Sequence, residues 1–414
     1  MVPITMAFLL FLVAIVANAQ PARGYNELGM DYFKSQRYAE ALERFELAHK
    51  LAPDNPGIRR NLCTTHQALA KVAIDADAID EALAHLEKAV AIDPTNPGPH
   101  VQLGGYMLGL GKLPEAQVHL EAALKRDPTQ AEASVLLGEV FYRENKLRQA
   151  RELWANALKE HPDFPGLEQK LDKVTREEKV ESDFESYTSA HFRIRYGKVL
   201  SEETRTEVFN ILESAYQDIG TALGGIFPVA TVEVVLYDGD EFSEATQAER
   251  HVGALFDGKL RAPITNAKGR FLSKATLTSR LRHEYVHAVL REKLGFNVPW
   301  WFNEGLAETL SREMDRNRLR NLSAAYRGNK TFPFSDLDSN PKKELAPQAL
   351  ALAYAQSHVA VEVLWKENKD KIPDYLDALQ HAKTPEEALQ QTLGLDYTAL
   401  DKKTRVASGA EGRQ

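Results

Sequence analysis

The chain has 414 residues, 43% of them hydrophobic, and a formal net charge of −8. That length exceeds one ordinary domain and supplies apolar residues for two or three cores; the acidic balance excludes nucleic acid as the main partner, because phosphate binding needs a basic face. A single cysteine, Cys63, excludes an intramolecular disulfide and a Cys-based zinc site, so any metal has to be held by His, Asp or Glu.

The first element in chain order is an apolar run, Met6 to Val16, ending in Ala17-Asn18-Ala19. It is short for a bilayer span, and its small-x-small ending suits signal-peptide cleavage. Residues 1–19 are therefore expected to be a secretory signal cut after Ala19, placing the mature chain in the periplasm or outside the cell. An uncleaved N-terminal anchor is the alternative. No later stretch is long and apolar enough to span a membrane.

A repeat follows. Proline recurs at Pro53, Pro94, Pro128 and Pro162, the last two intervals both being 34 residues (128 − 94 and 162 − 128). Ala41, Ala82, Ala116 and Ala150 keep step with those prolines, and Leu-Gly recurs at Leu28-Gly29, Leu103-Gly104 and Leu137-Gly138. LGMDY at 28–32 and ALERF at 41–45 match the 34-residue tetratricopeptide pattern of paired helices. Small residues let the two helices of a hairpin approach closely, and four stacked hairpins bury faces that one alone cannot. Residues 20–170 are thus expected to form an all-α solenoid of about four repeats, whose concave face takes a protein partner. The second repeat carries extra residues around Val72–Ala78, expected in the loop between its helices, and Cys63 in the place of a repeat glycine reads as a small buried residue.

After HPDFPG the pattern dissolves. Leu167 to Val174 suits a capping helix, and the charged run Arg176–Glu185 reads as a solvated helix end, so residues 171–187 are taken as a linker. Beyond it, HFRIRYG (His191–Gly197) alternates like a half-buried strand. SEETRTEVFNILESAYQDIGTAL reads as an amphipathic helix starting at Ser201, TVEVVLYDG (Thr231–Gly239) as a strand, and GALFDGKLRAPI as two short strands turning at Asp257-Gly258. The elements predict an α+β domain over residues 188–405.

The next helix begins near Ala275 and contains HEYVH, His283 to His287. Two histidines four apart lie about 40° apart around a helix and about 6 Å along it, so both imidazoles reach one ion. Glu284, about 100° round, is badly placed as a ligand and well placed to reach a water beside the metal. Seventeen residues on (304 − 287), after the helix-starting PWWFN, comes Glu304, the candidate third ligand. Gly305 is expected to let its helix approach the histidine helix. Glu308, one turn further, is placed to accept the distal N–H of a ligand histidine. Trp300, Trp301, Tyr285 and Val286 read as core residues. IPDYLDALQHAKTPEEALQQTLGLDYTAL reads as two amphipathic helices, and 406–414 as a frayed tail.

HEYVH with a downstream WFNEGLAE resembles the gluzincins, the thermolysin-like zinc peptidases, and more narrowly the peptidase MA-like domains often joined to tetratricopeptide repeats. The resemblance extends through most of 188–395 and implies a zincin-like fold. It implies one Zn²⁺ held by His283, His287 and Glu304, and Glu284 as general base in peptide-bond hydrolysis. The usual oxyanion-steadying Tyr or His has no clear counterpart; Tyr354 and His358 in YAQSH are the candidates. The implied activity is an exported zinc metallopeptidase acting on a peptide or protein substrate. A non-catalytic repeat scaffold with a vestigial zinc domain is the alternative.

Overall fold

The computed structural model describes residues 20–410 apart from 77, 198–199, 229–230, 248–253, 267, 296–297 and 313. The expected signal segment lies outside the described residues, as do residues 411–414. Among the described residues no helix is long and apolar enough to cross a membrane. The chain divides into two compact units at Thr175/Arg176.

The first unit is a run of helices: α1 (20–34), α2 (Tyr38–Leu51), α3 (Pro56–Asp75), α4 (Ile79–Ile92), α5 (Gly98–Gly109), α6 (Leu113–Arg126), α7 (Ala131–Arg143), α8 (Leu147–Glu160) and the first part of α9 (Leu167–Glu181). Its pairing follows the repeated small residues. A Cβ on Gly29 would lie 2.7 Å from the Phe45 ring, one on Gly104 2.5 Å from Leu120, and one on Gly138 2.2 Å from Trp154. The four in-step alanines, Ala41, Ala82, Ala116 and Ala150, are all fully buried. The turns after α1, α5 and α7 each hold a left-handed residue, Gln36, Gly111 and Asn145.

The extra residues of the second repeat are not a loop. They lengthen α3 to 20 residues, against 13 for α7. Seven residues are close to two full helical turns, so the apolar face is kept, and Ala70, Lys71 and Ala73 at this end of α3 favour helix over loop.

In the second unit five strands form one sheet in the order β1-β2-β3-β5-β4: β1 (Glu185–Thr188), β2 (Phe192–Tyr196), β3 (Val232–Tyr237), β4 (Leu255–Phe256) and β5 (Leu260–Pro263). β2, β3 and β5 are parallel, and the two edges pair antiparallel. The crossovers between the parallel strands contain α10 (Glu202–Ala222), begun by the Ser201 cap, and α11 (Gly239–Thr246). All six residues of β3 are buried because both faces of the sheet are covered. Ile194, Val234 and Leu236 join the core built with α10 and α12 (Lys274–Leu294). On the other face Val235 and Tyr237 meet Phe242 of α11, with Val180 and Phe184 packed against them.

The run taken as a solvated linker is instead part of this unit. α9 continues to Glu181 and β1 starts at Glu185. Glu177 and Glu181 are almost wholly buried. Arg261 reaches both, 2.8 Å from Glu177 Oε2 and 3.0 Å from Glu181 Oε1. Arg195 Nη1 and the Tyr237 hydroxyl donate to Glu181 at 2.7 and 2.6 Å. Burial carboxylate by carboxylate is tolerated because each is met by charged or hydroxyl donors. Burial, with Arg261 beside it, lowers the neighbouring Lys259 ammonium to about 8.

The remaining helices are α13 (Trp300–Ser311), α14 (Arg316–Arg327), α15 (Pro347–Asn368), α16 (Ile372–His381), α17 (Pro385–Leu393) and α18 (Tyr397–Ala407). The C-terminal stretch thus holds three helices where two were expected, since Gly394 in a left-handed conformation ends α17 and Asp396 caps α18. The expected tail is partly structured: Val406 and Ala407 close α18, and Ser408 is buried with its hydroxyl donating to Arg405 O.

A candidate metal centre between two helices

α12 starts at Ser273, whose side chain accepts from Thr276 N, and runs without interruption through the HEYVH segment. α13 begins directly after Pro299, and its entry is pinned by Asp338. Asp338 O accepts from Trp300 N at 2.9 Å, and Asp338 Oδ1 accepts from the Trp301 indole at 3.2 Å. Trp301 is fully buried, as are Tyr285 and Val286, so these residues anchor the two helices in the core. Gly305 has a different purpose from the expected one. Its missing side chain makes room for α15, where a Cβ would lie 2.4 Å from Ser357 O, rather than for α12.

His283, His287 and Glu304 come together, their ligand atoms all within 4.8 Å of one another. Glu304 Oε2 is 3.4 Å from His283 Nε2 and 3.6 Å from His287 Nε2. Those separations are long for hydrogen bonds. They match the edge of a tetrahedron with bonds of about 2.0–2.1 Å to zinc, which is roughly 3.3 Å. His287 Nδ1 is 2.9 Å from Asn303 Oδ1; with Nδ1–H donating, the Nε2 lone pair faces the cluster. The donor set therefore fits a zinc ion.

Electrostatics divide the two glutamates. Burial works against charge on Glu304, but His287, His283 and Lys342 outweigh it and hold its carboxyl well below the usual range. Burial likewise disfavours charge on His287, and the Glu304 carboxylate overrides it, raising the imidazole to about 9. Glu284 is 6% exposed, and burial pushes its carboxyl up against the pull of the two histidines. It faces a cavity of about 780 Å³ shared with the cluster.

Two expected roles are corrected. Glu308 does not accept from a ligand histidine at hydrogen-bond distance: Arg312 and Arg318 occupy its carboxylate, with Arg312 Nε donating at 2.6 Å and Arg318 Nη1 at 2.9 Å. Those guanidiniums overcome burial and lower Glu308 to about 2. The histidine-orienting contact falls to Asn303 instead. His358 is 1% exposed and does not line the cavity; it lies with Nδ1 3.6 Å from Glu308 Oε2. Buried there, its imidazole is held down at about 4. Tyr354 does line the cavity, edge-on to Trp300 at 5.1 Å.

The spacing of motif residues did not point to Lys342, whose ammonium is 3.1 Å from Glu304 Oε1. It sits in a short 3₁₀ turn, Pro341–Lys343, where no periodicity marks it. Arg318 was equally unmarked. Asn303 had a signal, its place immediately before Glu304.

Among known proteins, residues 20–95 match the tetratricopeptide repeat family, and so do 73–122 and 107–169. The first unit is accordingly a tetratricopeptide-repeat array; the family matches end at residue 169. Similar solved structures include one of Pseudomonas aeruginosa pilF, 21% identical over 40% of this chain and 72% of that one, with a TM-score of 0.31. YrrB, described as a TPR protein with an unusual peptide-binding site, is 23% identical over 36% of this chain and 74% of that one, TM-score 0.28. The TPR domain of P58(IPK) is 15% identical over 95% of this chain and 99% of that one, TM-score 0.20. No protein of curated function matches the chain.

Proposed function

We propose that the second unit is a zinc-dependent peptide hydrolase of the zincin type, joined to repeats that hold a protein substrate or partner. The observation that carries this reading is the convergence of His283, His287 and Glu304 beside a buried Glu284 on one cavity. A zinc ion on those three side chains would polarise a carbonyl oxygen and bring the pKa of a water to about 7. Glu284, with its carboxyl raised by burial, is suited to take the proton of that water as its oxygen bonds to the carbonyl carbon. As the C–N bond breaks, Glu284 returns the proton to the leaving nitrogen. Tyr354 is the cavity residue suited to steady the oxygen on which charge develops. Leu255 and Phe256 of the edge strand β4 line the same cavity, which suits backbone pairing with an extended peptide. Export to the periplasm or beyond remains part of the proposal, resting on the N-terminal sequence.

A second reading is a repeat scaffold whose second unit no longer reacts. It is favoured by the confinement of the family matches to residues 20–169. Metal content and a peptide-library digest separate the two. The hydrolytic reading expects about one zinc per chain, cleavage abolished by chelator, and a Glu284→Gln protein that keeps zinc without cutting. A wild-type chain that retains zinc and cuts no better than Glu284→Gln leaves the scaffold.

A further inference from the structure

The cavity beside the cluster is cationic on an acidic chain. Among the described residues, Arg280, Arg291, Arg312, Arg318 and Lys342 line it against Glu284, Glu304 and Glu308, five cations to three carboxylates before any metal is added. The whole chain carries −8. Three of the cations already have carboxylates: Arg312 and Arg318 share Glu308, and Lys342 is on Glu304.

Arg280 is placed differently. It lies in α12 one turn before the motif, three residues ahead of His283 and four ahead of Glu284, so it shares their side of the helix. Its side chain is half-buried in the cavity wall. Among the described residues no carboxylate lies within ion-pair distance of it. Partial loss of water without a counter-charge lowers the guanidinium from its ordinary value, and burial is the sole cause. A guanidinium held in this way at the wall of a cavity is complementary to a planar anion, which it grips with two parallel N–H donors. Fields inside such a low-dielectric cleft also concentrate ligands of opposite charge.

We propose that Arg280 determines specificity in this cavity by binding a carboxylate of an acidic peptide close to the bond presented to the cluster. One helical turn separates Arg280 from His283 and Glu284, about 5 Å along the axis. An extended peptide advances about 3.3 Å per residue, so the bound carboxylate belongs one or two residues from that bond. The inference deepens the hydrolytic reading and rests on it for what the cavity binds. Nucleic acid is not the anion, since the rest of the chain is acidic.

The test uses the full chain loaded with zinc and carrying Glu284→Gln, so that peptides bind without being cut. Fluorescent peptides with a fixed Glu or Asp near the centre are compared with their Gln or Asn counterparts, each made as a free C-terminal acid and as an amide. Binding is read by anisotropy with Arg280 intact, with Arg280→Gln and with Arg280→Glu, after zinc analysis shows that each protein holds its metal. With Arg280 intact, the acidic peptides are expected to bind about tenfold tighter, the scale of one charge-assisted pair. Arg280→Gln brings that ratio to about one, and Arg280→Glu inverts it, so that the Gln and Asn peptides bind tighter. A preference that survives amidation assigns the carboxylate to a side chain; one that needs the free acid assigns it to the chain terminus. An equal ratio with Arg280 intact, or an unchanged preference in Arg280→Gln, overturns the inference. Wild-type cleavage is scored in parallel. Preference without cleavage removes the hydrolytic reading and leaves Arg280 as an anion site, whereas cleavage without preference does the reverse.

Discussion

In the repeat unit, Gly29, Gly104 and Gly138 face Phe45, Leu120 and Trp154, partners sixteen residues further along the chain. In the second unit Gly305 faces Ser357 O and Val361, more than fifty residues away. The same absence of a side chain serves a close helix contact in both. What differs is the distance in sequence over which the contact is specified. A repeat states its contacts again every 34 residues, so a wrong partner breaks a visible pattern. The second unit states each contact once, and its cluster depends on α12, α13 and α15 all being placed together.

That contrast makes the second unit the more fragile, and mutations test it. Glu304→Ala should have the largest effect: loss of tight zinc binding and, with it, of the proposed hydrolysis, read by metal analysis and by the peptide digest. Retained stoichiometric zinc would remove Glu304 from the ligand set. Next, Arg261→Met leaves Glu177 and Glu181 buried with part of their counter-charge gone, and should cost about 3–5 kcal/mol in denaturant unfolding of the full chain. A cost near zero would show that those carboxylates are not held as the structure places them.

Gly305→Ala and Gly138→Ala set the two units directly against each other. Both introduce overlap, worth about 1–3 kcal/mol when neighbours can shift. Trp154 is a side chain that can shift at the cost of its indole hydrogen bond to Val135 O, whereas Ser357 O is backbone within α15. Gly305→Ala should therefore destabilise more and also weaken zinc binding, while Gly138→Ala leaves zinc binding intact. Equal costs would end the comparison. Asn303→Ala removes the acceptor of His287 Nδ1 and should weaken zinc binding about 10–100-fold with little loss of fold stability.

The smallest effect is on pH. His66 and His100, in adjacent repeats, are paired with His85 and His119, Nδ1 to Nδ1 at 2.9 and 3.3 Å. Burial, aided by neighbouring positive charge, lowers His66 and His100 to about 4. The unfolded chain then binds protons that the folded chain does not, so the contribution of these residues is intact above about pH 6.5 and declines as pH falls toward 4. Hydrogen-exchange protection factors in α3–α6, taken relative to the intrinsic rate at each pH, should fall as pH drops across that window, and His66→Gln with His100→Gln should flatten the response.

Parts of this molecule were legible because the chemistry is written locally. The paired helices announced themselves through a fixed interval of small residues, and the Ser201 cap marks a helix start that local chemistry requires. His283, His287, Glu284 and Glu304 stood out as a spacing that few other needs explain. The charged run after residue 175 misled for the opposite reason. Arg195 and Arg261, which neutralise Glu177 and Glu181, sit in strands that read as ordinary half-exposed ones. No rule of periodicity connects residue 181 with residue 261. Glu308 departs from its expected role because two arginines compete for it more strongly than a histidine does, and one of them arrives from α14.

The amino-acid sequence by itself determined the repeat array, the run of β2, α10, β3, β4 and β5 beyond it, and the identity of the side chains that converge on the cluster. Those features depend on intervals of a few residues, over which backbone geometry leaves little choice. Only the tertiary structure decided that Asn303 rather than Glu308 orients His287, that His358 is sealed away while Tyr354 and Lys342 face the cavity, and that Arg280 stands in its wall without a carboxylate among the described residues. Each of those outcomes is a competition among charges brought together from distant parts of the chain, and the winner is set by distance and burial rather than by order in sequence.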